Sequence, residues 1–410
     1  MNNRSLLRTL VAGLLLPALP ALAQQPKQDF PDNPGKELFL KYCGGCHAIQ
    51  RARAGYTEQG WRTVLQMKVN FSAPIAKEEY APLLQYLVKS FPERKRPAAR
   101  IIKGPVQATI KQFPILRRGS RPHDPLATRD GFIWYTGQLS NQLGRVDPRT
   151  GVIQEYTLKS PNTGPHGLVE DKQGNIWFTG NHIAAIGKLD PKTGNVTEYK
   201  MPDPKVRDPH SLSIAPDGMV WFTAQQSNVV GRVDPKSGEV KLIAMPTPRS
   251  RPYGILVNSK GIPVVALFGT NKLATVDPKT MAVKEYALPD PKSRPRRIAF
   301  GPDGAVWYAD FSRGYLGRYD LATGAHKEWQ SPSGPNAQPY GIVYAKGALW
   351  YNESFAKPNT IVRFDPKTER FQTWAIPGGG DIVRKMDVTP DGNPVTANSL
   401  MNEVGLVEVR

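Results

Sequence analysis

The chain is poor in cysteine, in acidic residues and in long apolar runs. Only two of its 410 residues are Cys, so no disulfide framework holds it together. Asp and Glu number 35 against 54 Lys and Arg, a formal net charge of +19. That balance favours an acidic partner or an anionic substrate over a cationic one. Nucleic acid is not expected as a partner, because no basic–aromatic module is present. Beyond residue 23 no segment approaches the length of a membrane span, so no stable insertion is expected. Also missing are G-x-S-x-G, a P-loop and H-E-x-x-H, the signatures of nucleophile-elbow hydrolases, P-loop nucleotide enzymes and zincins.

What the chain has in quantity is repetition. Residues 165–202 read PHGLVEDKQGNIWFTGNHIAAIGKLDPKTGNVTEYKMP, four short apolar runs parted by Gly and Pro turns. Units of this kind open at Pro122-His123, Pro165-His166, Pro209-His210, Pro252-Tyr253, Pro295-Arg296 and Pro339-Tyr340, and a degenerate one opens near Val383-Arg384. A period of about 43 residues with four strands per unit is the pattern of a propeller blade. A β-solenoid or a sandwich is the competing reading. The turn before each fourth strand carries Asp147, Asp190, Asp234, Asp277, Asp320 or Asp365, where the Asp can bond its own downstream backbone. The last unit ends at a third strand. ATIKQFPI at 108–115 reads like a fourth, so residues 106–115 are expected to complete the last blade of a seven-bladed ring over 106–410.

Ahead of the ring, residues 1–23 read as a secretory signal. Arg4 and Arg8 precede an apolar run at 10–16, and Ala21-Leu22-Ala23 offers a cleavage site after about Ala23. Export to the periplasm is the expectation. Residues 24–33 read as a flexible leader, 34–97 as a small all-α domain, and 98–105 as a basic linker. The helical domain contains Cys43-Gly44-Gly45-Cys46-His47, the C-x-x-C-H of covalent haem c. Two thiols at this spacing reach the two vinyl groups of one porphyrin edge, and the adjacent imidazole meets the iron. A thioredoxin-like pair would need a βαβ context, and a zinc site would need further ligands. Met67 is the one Met between Met1 and Met201, and it competes between two roles, distal iron ligand and core filler.

Two resemblances follow from these motifs. The C-x-x-C-H helix, the W…M segment and a closing helix ending in YL resemble a class I cytochrome c over about 60 residues. That implies one covalent haem c on Cys43 and Cys46, with His47 and Met67 as axial ligands. The repeats PHGL, IWFT, IGKLDPKTG and VTEYKMP resemble the virginiamycin B lyase (streptogramin lyase) family of seven-bladed propellers. The resemblance implies a magnesium-dependent lyase that opens a cyclic depsipeptide by elimination across its ester. Its catalytic histidines follow the blade-opening Pro in the last two blades. Here those positions hold Tyr340 and Arg384, and the family's metal carboxylates fall near Ile382 and Asn398. Streptogramin cleavage is therefore not expected.

Equivalent blade positions face a common axis. One ring of them is His123, His166, His210, Tyr253, Arg296, Tyr340 and Arg384. A second, three residues after each blade Trp, ends in Asp310, Glu353 and Asn398. On this reading Asp310 and Glu353 stand beside Arg296 and Arg384. The rings form a candidate pocket for a small molecule, with a divalent metal as one option and plain strand capping as the alternative. Three functions compete: a haem redox protein whose propeller binds or converts a small, anionic substrate; a streptogramin-type lyase with an accessory cytochrome; and a non-catalytic propeller that docks an acidic redox partner.

Overall fold

The computed structural model describes residues 30–43, 49–71 and 75–410. The signal segment, most of the leader, Cys46 and His47 lie outside them. The described chain is mainly β, with seven four-stranded antiparallel sheets arranged as a propeller. Blades 1 to 6 span 122–157, 165–200, 209–244, 252–287, 295–330 and 339–375. Blade 7 takes three strands from the C-terminus, Val383–Val388, Pro394–Asn398 and Glu403–Val409. Its fourth, Ala108–Pro114, pairs antiparallel with Glu403–Val409 from Ala108 opposite Val409 to Pro114 opposite Glu403. Closing the ring with a strand from the other end of the chain leaves no blade open between the termini.

The repeat's chemistry explains each blade. All six turn aspartates accept a backbone N–H two residues on, from Arg149 to Asp147 at 2.9 Å through Lys367 to Asp365 at 2.9 Å. That bond holds the turn which reverses the chain into the fourth strand. The blade tryptophans Trp134, Trp177, Trp221 and Trp350 are fully buried. They pack between blades: Trp177 of blade 2 joins Val220 and Phe222 of blade 3 in one cluster. Each blade thus buries its face against its neighbour, and the core is a ring of interfaces.

In four blades one glycine is dictated by packing. On the third strands, Gly144, Gly187, Gly231 and Gly317 lie opposite Tyr135, Phe178, Phe222 and Tyr308. The facing ring lies over the glycine, and a Cβ at Gly187 would sit 2.0 Å from Phe178 Cζ. An absent side chain here makes room for an aromatic one.

The N-terminal unit is small and helical: α1 (Lys36–Cys43), α2 (Glu58–Phe71) and α3 (Lys77–Ser90). Phe39, Trp61, Leu65, Leu83, Tyr86 and Leu87 form its core. The Trp61 indole N–H donates to the Phe91 carbonyl at 3.0 Å. Gly35, at φ +93°, lets the start of α1 touch α3, since a Cβ would meet the Pro82 carbonyl at 2.9 Å. Among the described residues no helix is long and apolar enough to cross a membrane.

The connecting segment is laid against the propeller. Ala98 forms a parallel bridge with Lys357, and Ile102 N–H donates to Thr373 Oγ1 at 2.7 Å. Lys357 Nζ reaches Glu93 at 2.7 Å and Arg96 reaches Asp381 at 3.5 Å. Backbone hydrogen bonds at Lys357 and Thr373 of blade 6 give this basic stretch a fixed course, and the helical unit sits over one mouth of the propeller axis.

Candidate functional site

The first strand of every blade carries a register shift next to its opening residue, and the ring residue lies in that shift. Such a bulge re-aims a side chain, here toward the axis. The repeat threonine locks it. Thr136 Oγ1 receives the Asp124 N–H at 3.1 Å and donates to the His166 carbonyl of the next blade at 3.2 Å. Thr179 does the same between Gly167 and His210, and Thr223 between Ser211 and Tyr253. Asn352 replaces it in blade 6, bonding Gly341 N–H at 2.8 Å and the Val383 carbonyl at 3.1 Å. The relay runs from blade to blade at these four positions, whereas blades 4, 5 and 7 carry Ala266, Ala309 and Ala397 there.

All seven ring residues line one cavity of about 1080 Å³ at the axial mouth. His123, His166, His210 and Tyr253 follow one another as a fan of tilted rings, with centroids 3.6, 3.9 and 4.0 Å apart. The Arg296 guanidinium lies over Tyr340 at 3.7 Å, Phe311 at 4.2 Å, Phe268 at 4.6 Å and Tyr253 at 4.9 Å. Tyr253 and Tyr340 share a hydrogen bond between their hydroxyls. Arg384 is bonded to Ser399.

Asp310, Glu353 and Asn398 do not line the cavity. They differ here from the sequence expectation that puts the two carboxylates beside Arg296 and Arg384. Asp310 instead accepts the backbone N–H of Arg294 at 3.0 Å and lies 3.5 Å from Arg313. Glu353 is enclosed by Ser331, Ser333 and Thr360. Asn398 Oδ1 accepts the Asp381 N–H at 2.9 Å. The second strand ends at these positions, and each side chain bonds groups of the adjoining loops or its own blade.

Several neighbours carried no signal in the repeat. Arg121, Asp208 and Arg251 precede the blade-opening prolines with φ of 55°, 57° and 52°, and all three line the cavity. Left-handed backbone before proline is costly, and it turns these side chains inward. Beneath the ring, Arg297 is buried at 6% exposure, with its guanidinium 3.2 Å from Asp124 Oδ1 and 2.9 Å from Ser211 Oγ. Lys385 Nζ lies 3.7 Å from the other oxygen of Asp124. His123 Nδ1 meets Asp124 Oδ1 at 2.8 Å.

The electrostatics are one-sided. Among the described residues seven arginines and Lys205 line the cavity, and Asp208 is the one lining carboxylate. Burial raises Asp208 to about 6. Burial, and after it the charges of neighbouring groups, chiefly arginines, holds His123, His166 and His210 well below the ordinary imidazole value. Burial pushes the Tyr253 phenol up, but the charges of Arg296 and Arg297 outweigh it, and the net direction is down. His123, Asp124 and His166 are near enough together to hold a metal ion. A dication there would compete with Arg297 for Asp124 and meet the same arginine field, whereas an anion meets no such opposition.

The cavity's far wall comes from the helical unit: Arg53, Ala54, Tyr56 and Arg94. Cys43 ends α1 half-buried against the helical core, and Met67 is 6% exposed on α2.

The sequence model of one protein family, described as the virginiamycin B lyase family, matches residues 96–355. The chain belongs to the virginiamycin B lyase family. A solved streptogramin B lyase is 26% identical, with a TM-score of 0.68 over 74% of this chain and 98% of that one. A catalytically inactive variant of virginiamycin B lyase from Staphylococcus aureus, solved with quinupristin, is 23% identical, with a TM-score of 0.67 over 73% and 99% of the two chains. Hydrazine synthase of Kuenenia stuttgartiensis shares the fold at 16% identity, with a TM-score of 0.59 over 71% and 95%. No curated protein matches the chain. The family match begins at residue 96 and leaves the three helices outside it.

Proposed function

We propose that this family member is an exported, periplasmic electron-transfer protein. Its helical unit carries one haem c, and its propeller holds a small anionic substrate in the axial cavity. The observation that carries the reading is the shared cavity: the segment just after C-x-x-C-H supplies Arg53 and Tyr56 to the space that the propeller ring lines. The described donors suit a haem. Cys43 supplies a thiol, and Met67 supplies a buried thioether on α2. When bound, the haem would supply one-electron transfer. Arg121, Arg207, Arg251 and Arg384 would clamp the anion, and the basic exterior would steer an acidic redox partner.

Two measurements test this. Purified protein run on a denaturing gel should stain for covalent haem, and Cys43→Ser with Cys46→Ser should abolish the stain. Replacing Arg207 and Arg251 with Ser should weaken sulfate binding at least roughly ten-fold, as expected for loss of charge-assisted hydrogen bonds. A chain without covalent haem, or unchanged sulfate binding, overturns the corresponding half of the reading.

Family membership favours a second reading, a streptogramin-type lyase with an accessory helical unit. Tyr340 and Arg384 oppose it, because neither offers the neutral imidazole base implied at those positions. Arg384 is also engaged by Ser399. A propeller that only docks a partner would have no use for a cavity lined by buried, oriented side chains.

A further inference from the structure

The histidine wall of the cavity is built to accept hydrogen bonds, although the rim is built to attract anions. His123 Nδ1 faces a carboxylate oxygen of Asp124 at 2.8 Å, and His166 Nδ1 faces the His210 carbonyl at 3.0 Å. Both partners only accept, so each Nδ1 carries the proton and each Nε2 is left with a lone pair. His210 Nδ1 meets the Ser211 hydroxyl at 3.0 Å and can take either form. No described residue bonds the Nε2 atoms of these three side chains, and all three line the cavity. Arginines and a lysine can only donate. A simple anion would satisfy the rim and leave the histidine lone pairs without a donor.

From this geometry we propose that the cavity takes a polyhydroxylated carboxylate, a sugar acid, whose carboxylate docks on the arginine rim and whose hydroxyls donate to His123 and His166 Nε2. The proposal rests on the anion-binding reading of the same cavity and adds the hydroxyl requirement to it. The Asp124–His123 pair is held in turn by Arg297, so the acceptor is fixed before the ligand arrives.

Calorimetric titration of the full-length holoprotein with two six-carbon diacids tests it. Glucarate carries hydroxyls along its chain, and adipate has the same charges without them. Glucarate should bind roughly ten- to a hundred-fold more tightly than adipate, as expected for two or three hydrogen bonds to fixed partners. In a His123→Ala, His166→Ala variant that advantage should fall below roughly three-fold, with adipate affinity unchanged and circular dichroism reporting the fold. Equal affinities for the two diacids on the unaltered protein overturn the sugar-acid proposal and leave the anion cavity standing. Failure of glucarate, adipate and sulfate alike overturns the anion cavity itself. Should the double variant not fold, the comparison on the unaltered protein decides.

Discussion

The buried Asp124–Arg297 pair beneath the ring gives the sharpest test of how the site is held. Asp124 is fully buried and Arg297 is 6% exposed. The two charges are not equally replaceable. Without Asp124, Arg297 keeps only the Ser211 hydroxyl at 2.9 Å and the face of Tyr253 at 5.2 Å. Without Arg297, Asp124 keeps His123 Nδ1 at 2.8 Å and Lys385 at 3.7 Å. Breaking a buried pair by removing one partner costs about 3–5 kcal/mol, because the other charge is left uncompensated. Asp124→Asn should therefore cost about 3–5 kcal/mol, and Arg297→Met only about 1–3, since a second cation already faces the carboxylate. The double variant should be more stable than Asp124→Asn alone, because its interior holds no orphan guanidinium. Urea unfolding of the parent, both single variants and the double variant measures the cycle. Additive losses, or an Arg297→Met cost equal to or above that of Asp124→Asn, would refute the reasoning.

Three further outcomes follow from the same structure. Gly187→Ala should cost more than about 3 kcal/mol in urea unfolding, because its Cβ would sit 2.0 Å from the buried Phe178 ring and neither strand can withdraw, whereas an unchanged midpoint would mean the ring can turn away. Asp208 has a folded pKa raised to about 6 from 3.8, so its protonation stabilises the fold fully below 3.8, and that contribution is lost as pH rises through 6. The parent should thus gain up to about 3 kcal/mol relative to Asp208→Asn between pH 7 and pH 4, and anion affinity should rise over the same interval, as pH-dependent unfolding and titration would show. Purified protein with magnesium should leave streptogramin B intact, since Tyr340 and Arg384 occupy the ring positions of blades 6 and 7, and ring opening followed by mass spectrometry checks this.

The architecture was legible because propeller blades are local. Each needs four short strands and a Gly or Asp turn between them, most add a Trp to cover a neighbour, and every one of these leaves a residue at a fixed offset. The threonine of IWFT was visible as a repeat letter too, but its task of tying Asp124 N–H to the carbonyl of the next blade was not. That bond joins residues in different blades, and no spacing within one unit reports it.

The sequence by itself determined the blade, its count and the residues that share a position around the axis, because strand period and turn chemistry act within a few residues. Tertiary structure alone decided what those positions face. It turned Asp310 and Glu353 onto neighbouring loop and strand groups, away from Arg296. It drew Arg121 and Arg251 inward through left-handed backbone. It set Arg297 against Asp124 across 173 residues of chain. Charges separated so far along a chain meet only when the ring closes, and burial then fixes which of them must be paired.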